Sequence, residues 1–580
     1  MSPSAMLKNA DPGYRIQRAW CGQRLNIFLV LLCSCLHLFA QTGSTAIPSA
    51  DEVRQLAAEQ RWLEIARLLD RVRPRSADLN FYYGTALARL ERWHEAEIAF
   101  QSGLKLAPQD PRFPIELAGV AFKQKRYPRA ANRLRQALKL APQDIYANNF
   151  LGTIYFLQGN LDGSLEYWNR VGKPQVAELR IDPPPQVSPA LLDRAFAFSP
   201  ASMLQRPDFH ATDARIRSLG IFSRYQFDLR AREDDKFDVS FRNQERNGFG
   251  STKWEALFLL LRGLPFLTVT PEYYNLHHEA VNLQSLFRWD PDKRRASARF
   301  SSPFHHSAKY RYEITADLRN ENWTILNAGA SPLGSLNLRR EVLGFNLASY
   351  AGGQWQGSAG AEFSHRDFRN VVAGTTLNPE LLADGYQLKQ VAALSTTLWR
   401  MPERRFTGEA RVSSQVARLW SQPVQTSEKL EGLLGWHWFP CAEGDDYEMR
   451  QQVRAGKTFG TVPFDELFML GLERDNDLLM RAHIGTYDGR KGSAPLGRNY
   501  FLANWETDKN LYSNGIVNLK IGPFLDTGKI TDSVSMLGSH EWLWDTGAQI
   551  KLRVFGAGVA FSYGKDLRSG SNALYLTMLK

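Results

Sequence analysis

Cysteine is nearly missing. Of four in 580 residues, Cys21, Cys33 and Cys35 lie close to the N-terminus and Cys441 stands alone in the rest. One thiol forms no internal disulfide, and a cysteine-based metal site or redox pair is excluded. Long apolar runs are as scarce: only Leu25 to Ala40 approaches spanning length, which rules out a bundle of membrane helices. No phosphate-cradling glycine loop precedes a helix and no nucleophile elbow appears. The adjacent pairs His277-His278 and His305-His306 read as strand residues, whose neighbours point to opposite faces, so neither pair chelates one ion simply. No catalytic residue, metal or cofactor is therefore expected, and the chain is not expected to be an enzyme. Glycine (43) and proline (28) together make roughly an eighth of the chain and aromatics 12%, which excludes collagen-like and disordered classes. Length alone suggests about four domains. A mean hydropathy of −0.36 looks soluble. A transmembrane barrel averages the same way, because its strands are polar on alternate residues.

What is present begins with LNIFLVLLCSCLHLFA, Leu25 to Ala40, preceded by Arg15, Arg18 and Arg24 and followed by small residues. A basic flank, an apolar core of about 15 residues and a small-residue tail read as a secretory signal over residues 1–40, cleaved after Ala40 or Ala46. A single transmembrane anchor is the alternative, but the run is short and carries His37. A lipid attached at Cys35 is a third. The length of the leader leaves Met6 or a later position as the start.

A period of 34 residues follows, over 51–171. FYYGTALARLERWHEAEIAFQSGLKLAPQD is succeeded in register by IELAGVAFKQKRYPRAANRLRQALKLAPQD and then by NFLGTIYFLQGNLDGSLEYWNRV. Gly84, Ala118 and Gly152 align, as do Ala96, Ala130 and Ser164, and Phe100, Leu134 and Trp168; Pro108 and Pro142 close two units. Small residues let antiparallel helices touch, large ones fill the space between units, and proline stops the second helix. The segment resembles a tetratricopeptide solenoid, with Arg61-Trp62-Leu63-Glu64 and Pro74 marking a shorter, degenerate cap. The resemblance implies a concave groove that binds peptides or partner proteins, and helical phase makes Phe81, Thr85, Arg89, Lys123, Asn149 and Phe156 its candidate lining. Each of these taken singly also fits ordinary solvated surface.

Over 176–247 the period changes. VAELRID is strand-like, PPPQVSP breaks it, ALLDRAFAF and FHATDARIRSLG read as short helices, and two alternating strands follow around Tyr225-Phe227-Leu229 and Phe237-Val239-Phe241 with Glu233-Asp234-Asp235 as the turn. This order, with Leu219-Gly220-Ile221-Phe222, resembles a POTRA domain, a small α+β module. The resemblance implies a position before a membrane barrel and the handling of incoming chains, partly by strand pairing. A generic α+β linker stays open.

The remaining 248–580 shows no amphipathic helix of note. Its alternating runs are separated by polar turns such as Asp290-Pro291-Asp292-Lys293. Gly547, Gln549, Lys551 and Arg553 alternate with Ala548, Ile550, Leu552 and Val554, one face charged and one apolar. At about 20 residues per strand and connection, an antiparallel transmembrane barrel of about 16 strands is predicted. Pro523-Phe524-Leu525-Asp526-Thr527-Gly528 lies on a strand whose Lys520, Gly522, Phe524 and Asp526 share a face; upstream, FMLGLERDNDLLMRAH precedes a glycine-rich stretch. A buried Asp on the lumen wall needs a charge partner, which an Arg meets bidentately. The pattern resembles the Omp85 superfamily, in which an R-G-F/Y loop tip docks on an F-x-D-x-G strand. Phe524, Asp526 and Gly528 match the strand motif and Arg481 the loop arginine, whereas Ala482 and His483 depart from it. The expectation is an Arg481–Asp526 pair inside the barrel.

Taken together the resemblance implies a bacterial outer-membrane pore that translocates or inserts polypeptides, with N-terminal domains in the periplasm. Its implied partners are unfolded or exported clients, other periplasmic or outer-membrane proteins, and outer-membrane lipid. The alternative is an anchored scaffold that recruits periplasmic partners without transport; a diffusion porin is a weaker rival. The net charge of +11 fits a basic lumen or contact with anionic lipid, and no nucleic-acid partner is expected. The C-terminal strand alternates Leu574, Leu576 and Met578, as a lipid-facing strand would, and does not end on an aromatic.

Overall fold

The computed structural model describes residues 48–580 except 327–331, 373–376, 442–443, 515, 533–536, 540, 555–556 and 580. The leader and its three cysteines lie outside the described residues. The chain divides into two compact units, with the division between Gly159 and Asn160.

The first unit is helical: α1 (Ala50–Ala58), α2 (Trp62–Asp70), α3 (Ala77–Arg89), α4 (Trp93–Leu106), α5 (Arg112–Lys123), α6 (Tyr127–Leu140) and α7 (Ile145–Leu157). Ser49, Ser76 and Asp144 cap α1, α3 and α7 by accepting backbone N–H groups their first turns leave unpaired. At the end of the first helix of each pair the chain turns through a left-handed residue, Gln60, Glu91 and Lys125, with Gly159 at the same place after α7. The aligned columns fill the interior: Ala96, Phe100, Ala118, Ala130 and Leu134 are all fully buried. Gly84 is small for a reason, since a Cβ there would stand 2.7 Å from the Phe100 ring. Phe100→Ala should therefore cost the repeat unit about 3–5 kcal/mol. Hydrogen exchange should show lost protection across α3 and α4 and unchanged protection in the barrel.

The second unit opens with α8 (Leu161–Trp168), followed by β1 (Gln175–Asp182), α9 (Pro189–Ala195), α10 (Arg206–Leu219), β2 (Phe222–Ala231) and β3 (Lys236–Glu245). The sheet order is β1-β3-β2, with β1 parallel and β2 antiparallel to β3. Gly220 ends α10 in the left-handed conformation. By sequence α8 completes the third repeat, and it also contacts the α+β module. Its Trp168 packs on Phe237 at 5.1 Å, and Arg206 at the start of α10 reaches Asp162 (2.8 Å) and Glu166 (3.1 Å).

The barrel is antiparallel between neighbours, and the strand order places eighteen strands in a closed ring, three of them only two residues long. That leaves fifteen longer strands among the described residues, close to the sixteen or so expected. Ladders can be followed residue by residue from the strand Glu272–Leu276 around to Asn572–Leu579. Alternation sorts the faces as expected. Ile550 and Leu552 point outward and exposed, while Gln549 is buried inside and Lys551 reaches Glu506 and Asp508 on the inner face of the next strand but one. Leu574 is likewise outward and exposed.

Two expectations fail. His277, His278, His305 and His306 are not strand residues: all four have positive φ and form the tips of hairpin turns, a backbone region His tolerates better than bulkier side chains. And 248–580 does contain a helix, α11 (Lys253–Leu261). WEALFLLL is apolar nearly all round and shows no clear helical contrast. Its start signal is Thr252-x-x-Glu255, in which Thr252 Oγ1 accepts the Glu255 N–H.

The module grips one end of the barrel. Ser188 N donates to His278 O (2.6 Å), Arg194 to His306 O (3.0 Å), Arg215 to Ala351 O (2.9 Å), and Arg311 and Asn282 from the barrel donate to Leu219 O at the end of α10. Asn160 donates to Pro402 O at 2.6 Å. At this junction Asp162 also stands 2.8 Å from His210 Nε2. Burial opposes ionisation of Asp162, but His210 and Arg206 outweigh it and hold the carboxyl down at about 2. A depressed carboxyl pKa contributes stability that is present above the ordinary value near 4 and is lost as pH falls through about 2, a swing of about 2 kcal/mol. Acid titration of module unfolding should show this loss in the native chain, and Asp162→Asn should flatten it.

Candidate functional site

The segment between the strands Tyr447–Gly460 and Asn499–Ser513 is a long loop that folds into the lumen, tied to the wall by charge at three places. At the first, Asp465 and Glu466 meet a basic wall: Arg340 reaches Asp465 (3.0 Å) and Glu466 (2.9 Å), fully buried Arg366 reaches Asp465 (2.7 Å), and Lys389 reaches Glu466 (2.7 Å). At the second, Lys293 bonds Glu473 (2.9 Å), Arg288 and Arg295 hold Asp475 (2.8 and 2.5 Å), and loop Lys491 bonds wall Glu321 (2.6 Å).

At the third place the signs reverse. Arg481 donates from Nε and Nη2 to the two carboxylate oxygens of Asp526 (2.8 and 2.5 Å), and its own backbone N–H donates to Asp526 Oδ2 at 3.1 Å. The third guanidinium nitrogen, Nη1, pairs with Glu506 and donates to Gln549 Oε1 at 3.2 Å. The guanidinium plane lies 3.9 Å from the centroid of the Phe524 ring. Asn504 bridges Asp526 Oδ1 (2.8 Å) and Leu479 O (2.9 Å), fixing the loop backbone next to the pair. Asp526 is fully buried and Arg481 4% exposed. Phe524, Asp526 and Gly528 lie on one face because alternate residues of a strand do. Gly564 on a neighbouring strand has no side chain where the loop passes; a Cβ there would run into the Arg481 carbonyl.

The departures from the R-G-F/Y pattern have a local account. Ala482 does not need a left-handed backbone, and its N–H donates to Asp545 Oδ2 at 2.6 Å. His483 sits between two carboxylates, with Nδ1 3.0 Å from Asp545 and Nε2 3.8 Å from Asp566. Ligand atoms of these three residues lie within 4.8 Å of one another, a spacing a metal ion would accept. Asp566, however, already accepts from Arg568 N and Ser569 Oγ, and Asp545 from Ala482 N, so the group works as an imidazole–carboxylate latch. An aromatic tip would be held by packing; this one is held by hydrogen bonds to Asp545.

The groove candidates fare differently. Phe81 belongs to packing: it contacts the rings of Phe113 (5.9 Å) and Phe100 (6.2 Å) and carries the Arg112 guanidinium at 4.8 Å. Thr85 Oγ1 donates to its own helix at Phe81 O (2.9 Å). Arg89 and Lys123 are exposed, Arg89 lying 5.6 Å from the Trp62 ring. Asn149 and Phe156 are half-buried, and Asn149 O accepts the Thr153 hydroxyl. The acidic anchors Asp465, Glu466, Glu473 and Asp475 escaped the sequence reading. Their signal was two short acidic clusters flanking the apolar run Leu467–Leu472, opposite strands rich in Arg and Lys.

Residues 58–111 and 115–176 match the tetratricopeptide repeat model. No curated protein matches the sequence. Among solved structures the chain is similar to BamA from Haemophilus ducreyi lacking POTRA domains 1-3 (12% identity, TM-score 0.41, covering 70% of this chain and 84% of that one). It is also similar to CdiB from Escherichia coli (13%, 0.46, 70% and 75%) and CdiB from Acinetobacter baumannii (11%, 0.41, 76% and 81%). Likeness at this level extends to neither chemistry nor partners.

Removing one member of a buried pair strands the other charge and costs about 3–5 kcal/mol. Arg481→Ala and Asp526→Ala should each loosen the loop by that order, seen as protease cleavage within 461–498. In a double-mutant cycle their effects should be far from additive, because both remove one interaction.

Proposed function

We propose that this chain is an outer-membrane barrel of the Omp85 type that moves polypeptides across or into that membrane, with its repeats and module on the periplasmic side. The observation that carries the membrane assignment is an inverted distribution of polarity. Leu318, Leu343, Phe345, Val412, Val416 and Phe561 are exposed on the outer wall, whereas the charges that anchor the loop in the lumen are buried and paired. Trp355, Trp399 and Trp438 ring the outside at the module end and Trp289, Trp420 and Trp544 at the far end, as interfacial girdles do. A soluble protein would bury that band; lipid satisfies it.

The transport reading rests on the loop and the module. A lumen closed by a loop held through ion pairs, and not by covalent continuity, can be opened without breaking the barrel. The module is bonded to the turns at one mouth of the barrel, where a chain would enter. No step needs a catalytic residue: clients are captured unfolded, presented at the mouth and accepted by the lumen or the seam while the loop yields. The partners this requires are client polypeptides, other periplasmic or outer-membrane proteins that dock on the repeats, and lipid.

Deletion of 51–159 tests the reading. It stops before α8, because Asp162 and Trp168 belong to the module. The truncated chain should still assemble and conduct in planar bilayers, and export or insertion of its clients should fall. A chain that never conducts and whose deletion leaves the outer-membrane and secreted proteins unchanged would be an anchored scaffold.

A further inference from the structure

The outward face of the barrel differs between its two ends. By alternation along the paired strands, Arg294, Arg339, Arg418, Lys457, Lys529 and Lys565 share that face with apolar residues such as Leu318, Phe345, Val416 and Phe561, and all six lie toward the far end, away from the module. The module end of the same face carries Tyr310, Trp355, Trp438 and Leu552, and Lys509 is its one cation among the described residues of the long strands. A wall set between two identical leaflets has no use for such a difference. Cations at one rim of an apolar wall are favourable where the adjoining lipid is anionic.

At one place these residues form a recess. Arg294, Asn320 and Arg339 stand directly opposite one another on three neighbouring strands, Lys293–Phe304, Ser307–Leu326 and Pro332–Ser349. Next to them Phe287, Ala296 and Leu318 floor a shallow cavity of about 450 Å³, with Trp289 at its edge. Phe287, Trp289 and Leu318 are exposed, so no other part of the described chain covers the floor. The polar row is arranged to donate. Asn337 Nδ2 donates to Asn320 Oδ1 (2.6 Å), which leaves the Asn320 amide nitrogen as its free end. Glu341 takes Nε and Nη2 of Arg339 (3.1 and 2.7 Å) and leaves Nη1. Arg294 is exposed and pairs with no acid among the described residues. On the next strand Asp367 is matched by Arg369, so both acids near the row are already paired. Strand spacing sets the Arg294 and Arg339 backbones about 10 Å apart, a gap two long side chains can close onto one phosphate group. A phosphomonoester presents three terminal oxygens to these three donors, where the diester of a glycerophospholipid presents two.

We propose that this recess binds the phosphomonoester of an acylated lipid in the leaflet at the far end of the barrel, its acyl chains lying on Phe287, Ala296 and Leu318 and its phosphate held by Arg294, Asn320 and Arg339. This rests on the membrane reading above and adds to it a lipid class and a place. Lys293, Arg295 and Arg340, next in sequence to the two arginines, point inward and hold the lumen loop. The lipid therefore braces from outside the wall segment that seats the loop from inside.

The test titrates diphosphoryl lipid A, dioleoylphosphatidylglycerol or dioleoylphosphatidylcholine into the full chain in dodecylmaltoside micelles and counts retained lipid by native mass spectrometry. The proposal expects lipid A to reach half-occupancy at the lowest concentration. Arg294→Gln and Arg339→Gln should each raise that concentration about fivefold, the weight of one cation beside an anionic head group. Lys509→Gln, at the module end, should leave it unchanged. Each variant is first checked for the native heat-dependent gel mobility of a folded barrel, and the ranking of the three lipids on the native chain decides the matter should both arginine variants misfold. Phosphatidylglycerol binding as tightly as lipid A, arginine variants that bind lipid A no more weakly than the native chain, or an equal loss in Lys509→Gln would overturn the proposal and leave the membrane reading standing. A chain that stays monodisperse without detergent and retains none of the three lipids would sink the membrane reading itself.

Discussion

The lumen of this barrel holds charge that water does not reach, and a buried charge survives only when another meets it at close range. Arg481 and Asp526 state the condition most sharply, a guanidinium 4% exposed against a carboxylate that is not exposed at all. The other charged anchors of the loop follow the same rule. The loop is acidic at Asp465-Glu466 and Glu473–Asp475 where the wall is basic, and basic at Arg481 and His483 where the wall is acidic. Such pairs add little net stability compared with apolar packing but fix one register and punish any other. A loop set by complementary charge has one seat, and leaving it costs enough to make the seat a defined state.

The loop is not held by charge alone. Val462, Phe464 and Leu467 join Trp323, Leu336 and Phe368 of the wall in an apolar cluster, and Phe468, Leu470, Leu478 and Met480 join Tyr500, Leu502 and Ile530 in another. Apolar area supplies cohesion and the ion pairs supply position. The loop also reaches Phe266 through Arg474, so that one segment touches both the lock at Asp526 and the approach to the first strand. At the opposite end the module is joined to the barrel through main-chain acceptors at Leu219, His278, His306 and Ala351. A small domain bonded to three separate turns of the barrel, with its own Leu219 carbonyl accepting a fourth bond from the wall, has a set orientation at the mouth.

The sequence by itself determined what periodicity and local stereochemistry can determine. The 34-residue period named the repeats, because a helix pair must bury the same small and large positions each time. The switch to a two-residue period named the strands, and the face shared by Phe524, Asp526 and Gly528 follows from pleat geometry alone. Arg481 was legible as well, since an inward Asp demands a cation and the motif supplied one.

Only the tertiary structure decided the rest, because it depends on residues far apart in the chain. Phe81 faces the groove by phase but is taken up by Phe113 and Arg112. Trp168 fits the repeat column and also packs on Phe237 of the module, a contact its column does not foretell. The four turn histidines look like strand residues until the hairpins close around them. The acidic anchors of the loop had no visible partners, for Arg340, Arg366 and Lys389 lie about a hundred residues away. The helix Lys253–Leu261 hid because a segment apolar on nearly every side carries no periodic contrast; only its neighbours give it a buried and an exposed face. Local pattern fixes which faces exist, and long-range pairing decides what each face meets.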